Sequence, residues 1–379
     1  MPTAAEYRRI EQGPQSPQER IWWDKYSHDK LQQWRQVCDD TADVCTAQIK
    51  RGRPSDMLDE VIRRAKTEGG VFQAFLDECH HVPGWVDFDE LDKGRRVFRR
   101  YAPMQGLVLM CSSLIEGYAH NKPSQVLVST GRLQRDVAKR IYETGQLLHN
   151  MVGSEGIKPG SQGHRTLMEV RLIHSAVRQF LWSNGKWDTD KYDEPINQED
   201  LAGTILEFDF MVARGIRKLG VNVSEEEMSA MHYYWRYAGY VLGVSEELLT
   251  TTPEEQEVLA LQLTSHLYEP TSEGESLAKA LLRDMSGQPP FNLSEDTLLA
   301  FSELLVGPVL ARDFHIEPTM GSRAKVRLIC EVLKVTSAGR KFVPDMFQKL
   351  VERNNHKFRR QSIENALGDP DSYAFRGLA

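Results

Sequence analysis

The chain has 379 residues, of which 40% are hydrophobic and 27% charged, and its formal net charge is −7. This length can bury a large core, and the composition excludes general disorder. The modest negative charge argues against nucleic acid or anionic lipid as the main partner, because such partners select a strongly basic surface. Two short basic segments, 93–100 and 356–360, are predicted to be solvated helix faces.

Cysteine usage and apolar runs indicate the compartment. The five cysteines are odd in number and scattered, with no Cys-x-x-Cys spacing. This pattern argues against a disulfide framework and against a thiolate zinc site, and it is typical of a reducing compartment. Residues 1–20 contain no apolar signal-peptide core, and no apolar run approaches the roughly 18 residues of a membrane helix. We therefore expect a cytoplasmic protein with no integral membrane segment.

Hydrophobic residues recur mainly with a period of 3.6, which predicts an all-α fold: a single multi-helix domain that encloses a pocket. An N-terminal helical extension is expected at 1–60, the central domain at 61–310 and a C-terminal helical extension at 311–379. Helices are predicted at 17–52, 55–66, 70–78, 88–101, 104–119, 131–152, 164–183, 198–219, 224–243, 253–267, 273–285, 294–304, 322–334 and 342–357.

Capping signals define several of these helices. Ser224 and Glu227 form a capping box, and Gly220 is placed to end the preceding helix. Pro253 follows Thr252, which is typical of a first helical position after a threonine cap. Between helices, 153–163 is a glycine-rich loop and 183–197 a polar one.

The predicted helix 131–152 carries polar residues beside an apolar stripe. Arg140 and Thr144 are spaced i, i+4 along one border of that stripe. They are either a hydrogen-bonded pair in the core or the polar groups of a pocket, and spacing alone does not decide. The stripe consists of Leu133, Val137, Ile141, Leu148 and Met151.

The predicted helix 164–183 places His174 on its apolar stripe, where a leucine would be expected. Arg171 and Arg178 lie one turn away on either side, near the same face. The histidine is either a core residue bonded to a neighbour or a ligand. Buried guanidinium groups need anionic partners, so the arrangement suits a flat apolar ligand that carries carboxylates. Haem, with its propionates, fits that description.

A third unusual segment, the predicted helix 224–243, contains a row of bulky side chains between His232 and Tyr237. The row is either a helix–helix interface with polar tips or one wall of a planar cofactor site. The preceding helix supplies Phe208, Met211 and Val212, which are ordinary core residues unless a pocket lies beside them.

The order of motifs over about residues 70 to 285 resembles the haem-b protein family that includes rubber oxygenase (latex clearing protein) and the fungal oxygenase of mycophenolic acid biosynthesis. The resemblance implies that His174 is the axial ligand of haem iron and that Arg140 and Thr144 lie beside the haem. The motifs are "VPGWVDFDELDKG" (82–94), "GYA" to "VLVSTGRL" (117–133), "RIYET" (140–144), "EVRLIHSAVR" (169–178), "INQEDLAGTILEFDF" (196–210) and "YAGYVLGVSEELL" (237–249).

One position departs from the rubber-cleaving branch, where a lysine precedes the threonine of the R-x-x-x-T motif. This chain has Glu143 there, which predicts a different sixth ligand or an acid/base group and argues against polyisoprene as the substrate. The resemblance implies a haem-b-dependent oxygenase that adds dioxygen to an unsaturated lipid or isoprenoid-like molecule, with or without cleavage of the double bond. Arg171 and Arg178 are expected to pair with the propionates.

Two other functions remain open at the level of sequence. In the first, the protein is a haem-binding sensor or carrier in which protein groups fill both axial positions. In the second, it is a helical scaffold without a cofactor, and His174 is an internally bonded core residue. The motifs HExxH, GxSxG and GxxxxGK[ST] are absent from the sequence. It therefore contains no motif typical of a zinc hydrolase, a serine hydrolase or a P-loop nucleotide-binding protein.

Overall fold

A computed structural model describes residues 4–130, 137–185, 187–338 and 345–367. None of these residues forms a β-strand. The α-helices are α1 (Ala4–Gln12), α2 (Pro17–Lys25), α3 (His28–Trp34), α4 (Asp40–Thr46), α5 (Pro54–Glu68), α6 (Gly70–His80), α7 (Phe88–Arg100), α8 (Ala102–Val108), α9 (Leu114–Tyr118), α10 (Asn121–Thr130), α11 (Val137–Met151), α12 (Gln162–Ser183), α13 (Thr189–Tyr192), α14 (Gln198–Phe208), α15 (Phe210–Lys218), α16 (Glu225–Val241), α17 (Pro253–Leu267), α18 (Ser272–Met285), α19 (Glu295–Val306), α20 (Pro308–Asp313), α21 (Met320–Ala338) and α22 (Asp345–Leu367).

The helices share one core, so the chain forms one helical domain and the all-α prediction is confirmed. Buried apolar side chains form a single cluster that extends along the chain from Tyr26 to Val326. Within the described ranges, no helix has the length and apolar character needed to cross a membrane. All five cysteines are free thiols.

The predicted helix 17–52 is wrong as a single element, since three helices occupy it. Polar caps interrupt the chain. The Asp39 carboxylate accepts a hydrogen bond from the Ala42 amide at 3.2 Å and so starts α4. The Ser16 side chain starts α2 in the same way, with Pro17 at its first position.

Two other predicted helices are divided. A π-helical turn, Leu109–Ser113, separates α8 from α9. The predicted helix 198–219 breaks at Asp209, whose backbone ψ of −82° leaves the helical range. The Asp209 carboxylate accepts a hydrogen bond from Gln256 at 2.5 Å, so a tertiary contact holds this break. The sequence also missed the helices α1, α10, α13 and α20.

The capping predictions are confirmed. Ser224 and Glu227 exchange both bonds of a capping box at the start of α16. Thr252 caps α17 ahead of Pro253. Gly220 follows the end of α15 with a φ of 89°, the left-handed conformation that glycine adopts most easily.

The two basic segments are not simply solvated, because α7 and α22 pack against each other. Arg100 of α7 bonds to Glu352 of α22 at 2.6 Å. Arg359 lies over the ring of Phe98 and donates to Gln105 at 2.8 Å. This packing brings the C-terminal helix onto α7 and also onto α11.

Candidate functional site

A cavity of about 360 Å³ lies between the middle helices of the chain. Side chains from α9, α10, α11, α12, α14 and α17 line it, with single contributions from α15 and α16. Leucine, isoleucine and valine are the most frequent residue types in the wall, and aromatic side chains and Met211 add to its apolar surface. The cavity therefore suits a largely apolar guest, with a few polar groups to orient it.

His174 reaches this cavity from α12, beside Leu167, Val170 and Val177 of the same apolar stripe. The helix begins where the Ser161 hydroxyl accepts from the His164 amide. Nδ1 of His174 is buried and has no hydrogen-bond partner among the described residues. Burial, with the charge of Arg178, lowers the pKa of His174 to about 4. The imidazole is therefore neutral at physiological pH, which is the form that binds metals.

Arg171 and Arg178 do not line the cavity. Arg171 forms a two-bond ion pair with Asp39, at 2.7 and 2.8 Å, and also contacts Glu78. Arg178 donates to Asp43 at 2.9 Å and to the Ile196 carbonyl at 3.0 Å.

The anionic partners that these arginines require are thus protein side chains. This placement argues against the predicted pairing with propionates, because both guanidinium groups are buried and already bonded. Their effect is to fix α12 against α4 on either side of His174.

Arg140, Glu143 and Thr144 all line the cavity from α11. The Thr144 hydroxyl donates to the Arg140 carbonyl at 3.1 Å, so the threonine is oriented by its own helix. The structure thereby places the R-x-x-x-T motif and His174 in one cavity wall. Of the apolar stripe predicted for this helix, Leu133 lies outside the described residues, whereas Val137, Leu148 and Met151 are buried.

The aromatic row of α16 is mainly a helix interface. Tyr233 donates to the Trp85 carbonyl at 2.7 Å, and Tyr234 bonds to the Met151 carbonyl. Only Trp235 of this row lines the cavity, where it stacks on Phe208 with ring centroids 5.2 Å apart. Of the apolar residues singled out beside it, Phe208 and Met211 line the cavity, whereas Val212 is buried in the core.

Several ionisable residues of the wall were not singled out from the sequence, and His120 and Glu207 are the two histidines or carboxylates among these without a hydrogen-bonded ionic partner in the described part of the chain. Burial lowers the pKa of His120 to about 3, and its Nε2 has no partner among the described residues. Burial, with the nearby Glu116, raises the pKa of Glu207 to about 8. The one available signal was an acidic residue inside the apolar segment "AGTILEFDF" (202–210). His120 follows α9 without any distinguishing pattern.

The donor set excludes one kind of metal centre. Over the described residues, no three histidine, cysteine or carboxylate side chains are grouped to hold an ion. A neutral imidazole at an apolar cavity, without further protein ligands grouped around it among the described residues, instead fits a metal whose other ligands come from a macrocycle. The unpartnered His174 ring and the Arg140–Thr144 pair are compatible with haem b at this place.

Residues 95–335 match the family model described as "ER-bound oxygenase mpaB/B'/Rubber oxygenase, catalytic domain". The chain belongs to this family. The matched region includes every helix that lines the cavity. A curated relative, the rubber oxygenase of Streptomyces sp. (strain K30), is 25% identical over 241 residues, or 63% of this chain. That alignment spans 58% of the length of the relative.

A solved structure of latex clearing protein in the closed state has the same fold, with a TM-score of 0.65. The superposition covers 86% of this chain and 91% of the other, at 21% sequence identity. It extends beyond the region of the family model, so this fold includes more of the chain than the catalytic-domain match.

Proposed function

We propose that this family member is a haem-b-dependent oxygenase, with dioxygen and an unsaturated, largely hydrophobic molecule as its substrates. One observation carries the proposal: a neutral histidine ring whose Nδ1 has no partner in the described part of the chain, in an apolar cavity and on a helix held by two buried ion pairs. Family membership supports the reaction class. The apolar wall supports the substrate class.

His174 is the proposed axial ligand. Its Nδ1 is buried and its ring lines the cavity, so Nε2 is the nitrogen that would bind iron in this proposal. The ion pairs of Arg171 and Arg178 orient the helix that carries the ring. Bound haem b would supply a site for the activation of dioxygen. The protein supplies a neutral imidazole, a fixed helix and an enclosure that excludes water.

Arg140 and Thr144 provide polar contacts from α11 in this proposal. A guanidinium at the cavity can bind a propionate with charge-assisted hydrogen bonds. Glu143, on the same helix, takes the place of the lysine found in the rubber-cleaving branch. A carboxylate there can accept or deliver a proton but cannot act as a neutral amine ligand. We therefore propose that oxygen is handled differently here from the rubber-cleaving branch and that the substrate is not polyisoprene.

Spectroscopy of the purified protein tests the proposal. Protein expressed with a haem precursor should be red, with a Soret band and about one haem per chain. His174→Ala should lose most of the haem, whereas His120→Ala, the matched removal of the other imidazole in the wall, should retain it. A colourless wild-type protein that also fails to bind added haem would refute the proposal. If His120→Ala lost the haem and His174→Ala retained it, His120 and not His174 would be the iron ligand.

The second imidazole also favours a second candidate, a haem-binding sensor or carrier. His120 lines the same cavity and its Nε2 is unbonded among the described residues, so two histidines are available in one wall. Filling of both axial positions by protein groups predicts a low-spin ferrous form that does not bind carbon monoxide. Binding of carbon monoxide to the ferrous protein would favour the oxygenase.

A further inference from the structure

Glu207 is an acidic side chain without a partner in an apolar cavity. It lies on α14, and none of the described residues forms a hydrogen bond or an ion pair with its carboxyl group. The Glu207 side chain is partly exposed, and the space to which it is exposed is the cavity. Burial of a polar group without a bonding partner costs free energy, so an unbonded carboxyl in such a wall needs a reason.

The backbone opposite Glu207 is shaped to admit it. A Cβ atom at Gly117 would lie 2.2 Å from Oε1 of Glu207, well inside contact distance. Any other residue at position 117 would therefore push the carboxyl group away. Glycine at this position gives the carboxyl group its space against α9.

Burial and the neighbouring charge of Glu116 keep Glu207 in its acid form by raising its pKa. Glu116 is buried, but Arg214 bonds to it at 2.6 Å and its charge lowers the pKa of Glu116 to about 2. Arg214 thus bonds to Glu116 and not to Glu207. The ionised Glu116 opposes ionisation of Glu207. A protonated Glu207 carries an O–H donor and a carbonyl acceptor at the cavity surface.

Tyr118 completes this polar corner. Its ring lines the cavity, and its hydroxyl has no hydrogen bond to the described residues. Tyr118 follows Gly117, the residue of α9 that faces the Glu207 carboxyl group, and Arg140 lines the same cavity. The Tyr118 hydroxyl and the Glu207 carboxyl group therefore present a donor and acceptors to which no other described side chain is bonded.

We propose that Glu207 and Tyr118 bind the hydroxyl group of the substrate, so that the substrate is an unsaturated alcohol rather than a hydrocarbon; this inference rests on the function proposed above. A hydrocarbon would leave both groups unbonded. The charge of the ionised Glu116, which already opposes ionisation of Glu207, would also oppose a carboxylate at this position, and the positive charge of Arg140 in the wall would oppose an ammonium group. A neutral hydroxyl both donates and accepts, which matches the corner.

Calorimetric titration of the full-length protein tests the proposal with geraniol and with the hydrocarbon, amine and carboxylic acid of the same carbon skeleton. The readout is the ratio of the dissociation constants of hydrocarbon and alcohol. Glu207→Leu should lower this ratio about threefold to tenfold, the contribution of one hydrogen bond. Glu207→Gln, whose amide still donates and accepts, should retain the ratio.

Gly117→Ala provides a second test that keeps the carboxyl group and displaces it. It should lower the ratio as Glu207→Leu does. Gly203→Ala is the matched control, because its added methyl group lies 3.5 Å from Leu263, an ordinary contact, in the same wall. This control should weaken both ligands alike and keep the ratio.

An unchanged ratio in both Glu207→Leu and Gly117→Ala would overturn the proposal, as would tighter binding of the amine or the acid than of the alcohol. Haem content is measured on the same preparations. A colourless protein that still discriminates in favour of the alcohol would refute the oxygenase and leave this binding role standing. A protein that contains haem but binds the alcohol no more tightly than the hydrocarbon would refute this binding role and leave the proposed oxygenase standing.

Discussion

The ion pair of Arg178 with Asp43 predicts an asymmetric response to mutation. The Arg178 side chain is 0% exposed and that of Asp43 is 10% exposed. An arginine cannot lose its proton, so Asp43→Asn leaves a buried charge without its partner and should cost about 3–5 kcal/mol of the free energy of unfolding. Burial already raises the pKa of Asp43, in spite of Arg178. In Arg178→Gln the aspartate can therefore take up a proton, and the expected cost is only about 1–3 kcal/mol.

Urea unfolding of the full-length chain, followed by circular dichroism, measures both costs. The loss in Arg178→Gln should be smaller at low pH, because a group whose folded pKa is raised contributes stability that disappears as the pH rises through that pKa. The double variant should resemble Arg178→Gln. Glu60→Gln, which removes one partner of an exposed ion pair with Arg63, is the control and should leave stability unchanged within error. Equal losses of unfolding free energy in Asp43→Asn and Arg178→Gln would refute the description of Arg178 and Asp43 as a buried ion pair in which only the arginine keeps its charge.

Two further predictions concern single residues near the site. Gly243 has a φ of 85°, and a Cβ there would lie 2.5 Å from the Asp39 carboxylate and 2.6 Å from Nε of Arg171. Gly243→Ala should lower the thermal midpoint clearly more than Gly185→Ala, whose φ of 65° gives the same backbone strain with nothing within 4 Å; equal shifts would mean that the ion pair tolerates the methyl group. Burial raises the pKa of Glu207 to about 8 in the folded protein, from 4.5 for an exposed glutamate, so its contribution to stability is present at low pH and is lost at about 1.4 kcal/mol per pH unit across that window. The difference in unfolding free energy between wild type and Glu207→Gln should therefore fall between pH 5 and about 8, and a constant difference would show that the carboxyl group is ionised throughout.

The sequence predicted features that depend on neighbours along one helix. The apolar stripe with His174, the i, i+4 pair of Arg140 and Thr144, and the capping box at Ser224 are all local patterns, and each is found on its predicted helix. The partners of Arg171 and Arg178 could not be predicted in this way, because Asp39 and Asp43 are more than 120 residues distant in the chain. The rule that a buried arginine needs an anion was correct, but the expected anions were haem propionates, whereas the structure has the carboxylates of Asp39 and Asp43.

Glu207 was missed for a related reason. An isolated acidic residue in an apolar helix is as compatible with a bonded core position as with a cavity, and the sequence does not show which. Whether Glu207 is bonded in the core or faces a cavity depends on two residues of other helices. Gly117 makes room for the carboxyl group, and Arg214 bonds to Glu116 instead. Both are tertiary facts without a pattern of their own.

The position of Arg178 gives a physical reason for a buried ion pair so close to the proposed iron ligand. Replacement of a buried pair by apolar side chains is often neutral or stabilising, so stability alone does not account for it. Bonded to Asp43, the arginine fixes one side of α12, while its charge acts together with burial to hold the His174 imidazole in its neutral form. A leucine at position 178 could pack the same helix but could not oppose protonation of the ring. The pair therefore links the orientation of α12 to the chemical state of the residue that this helix presents to the cavity.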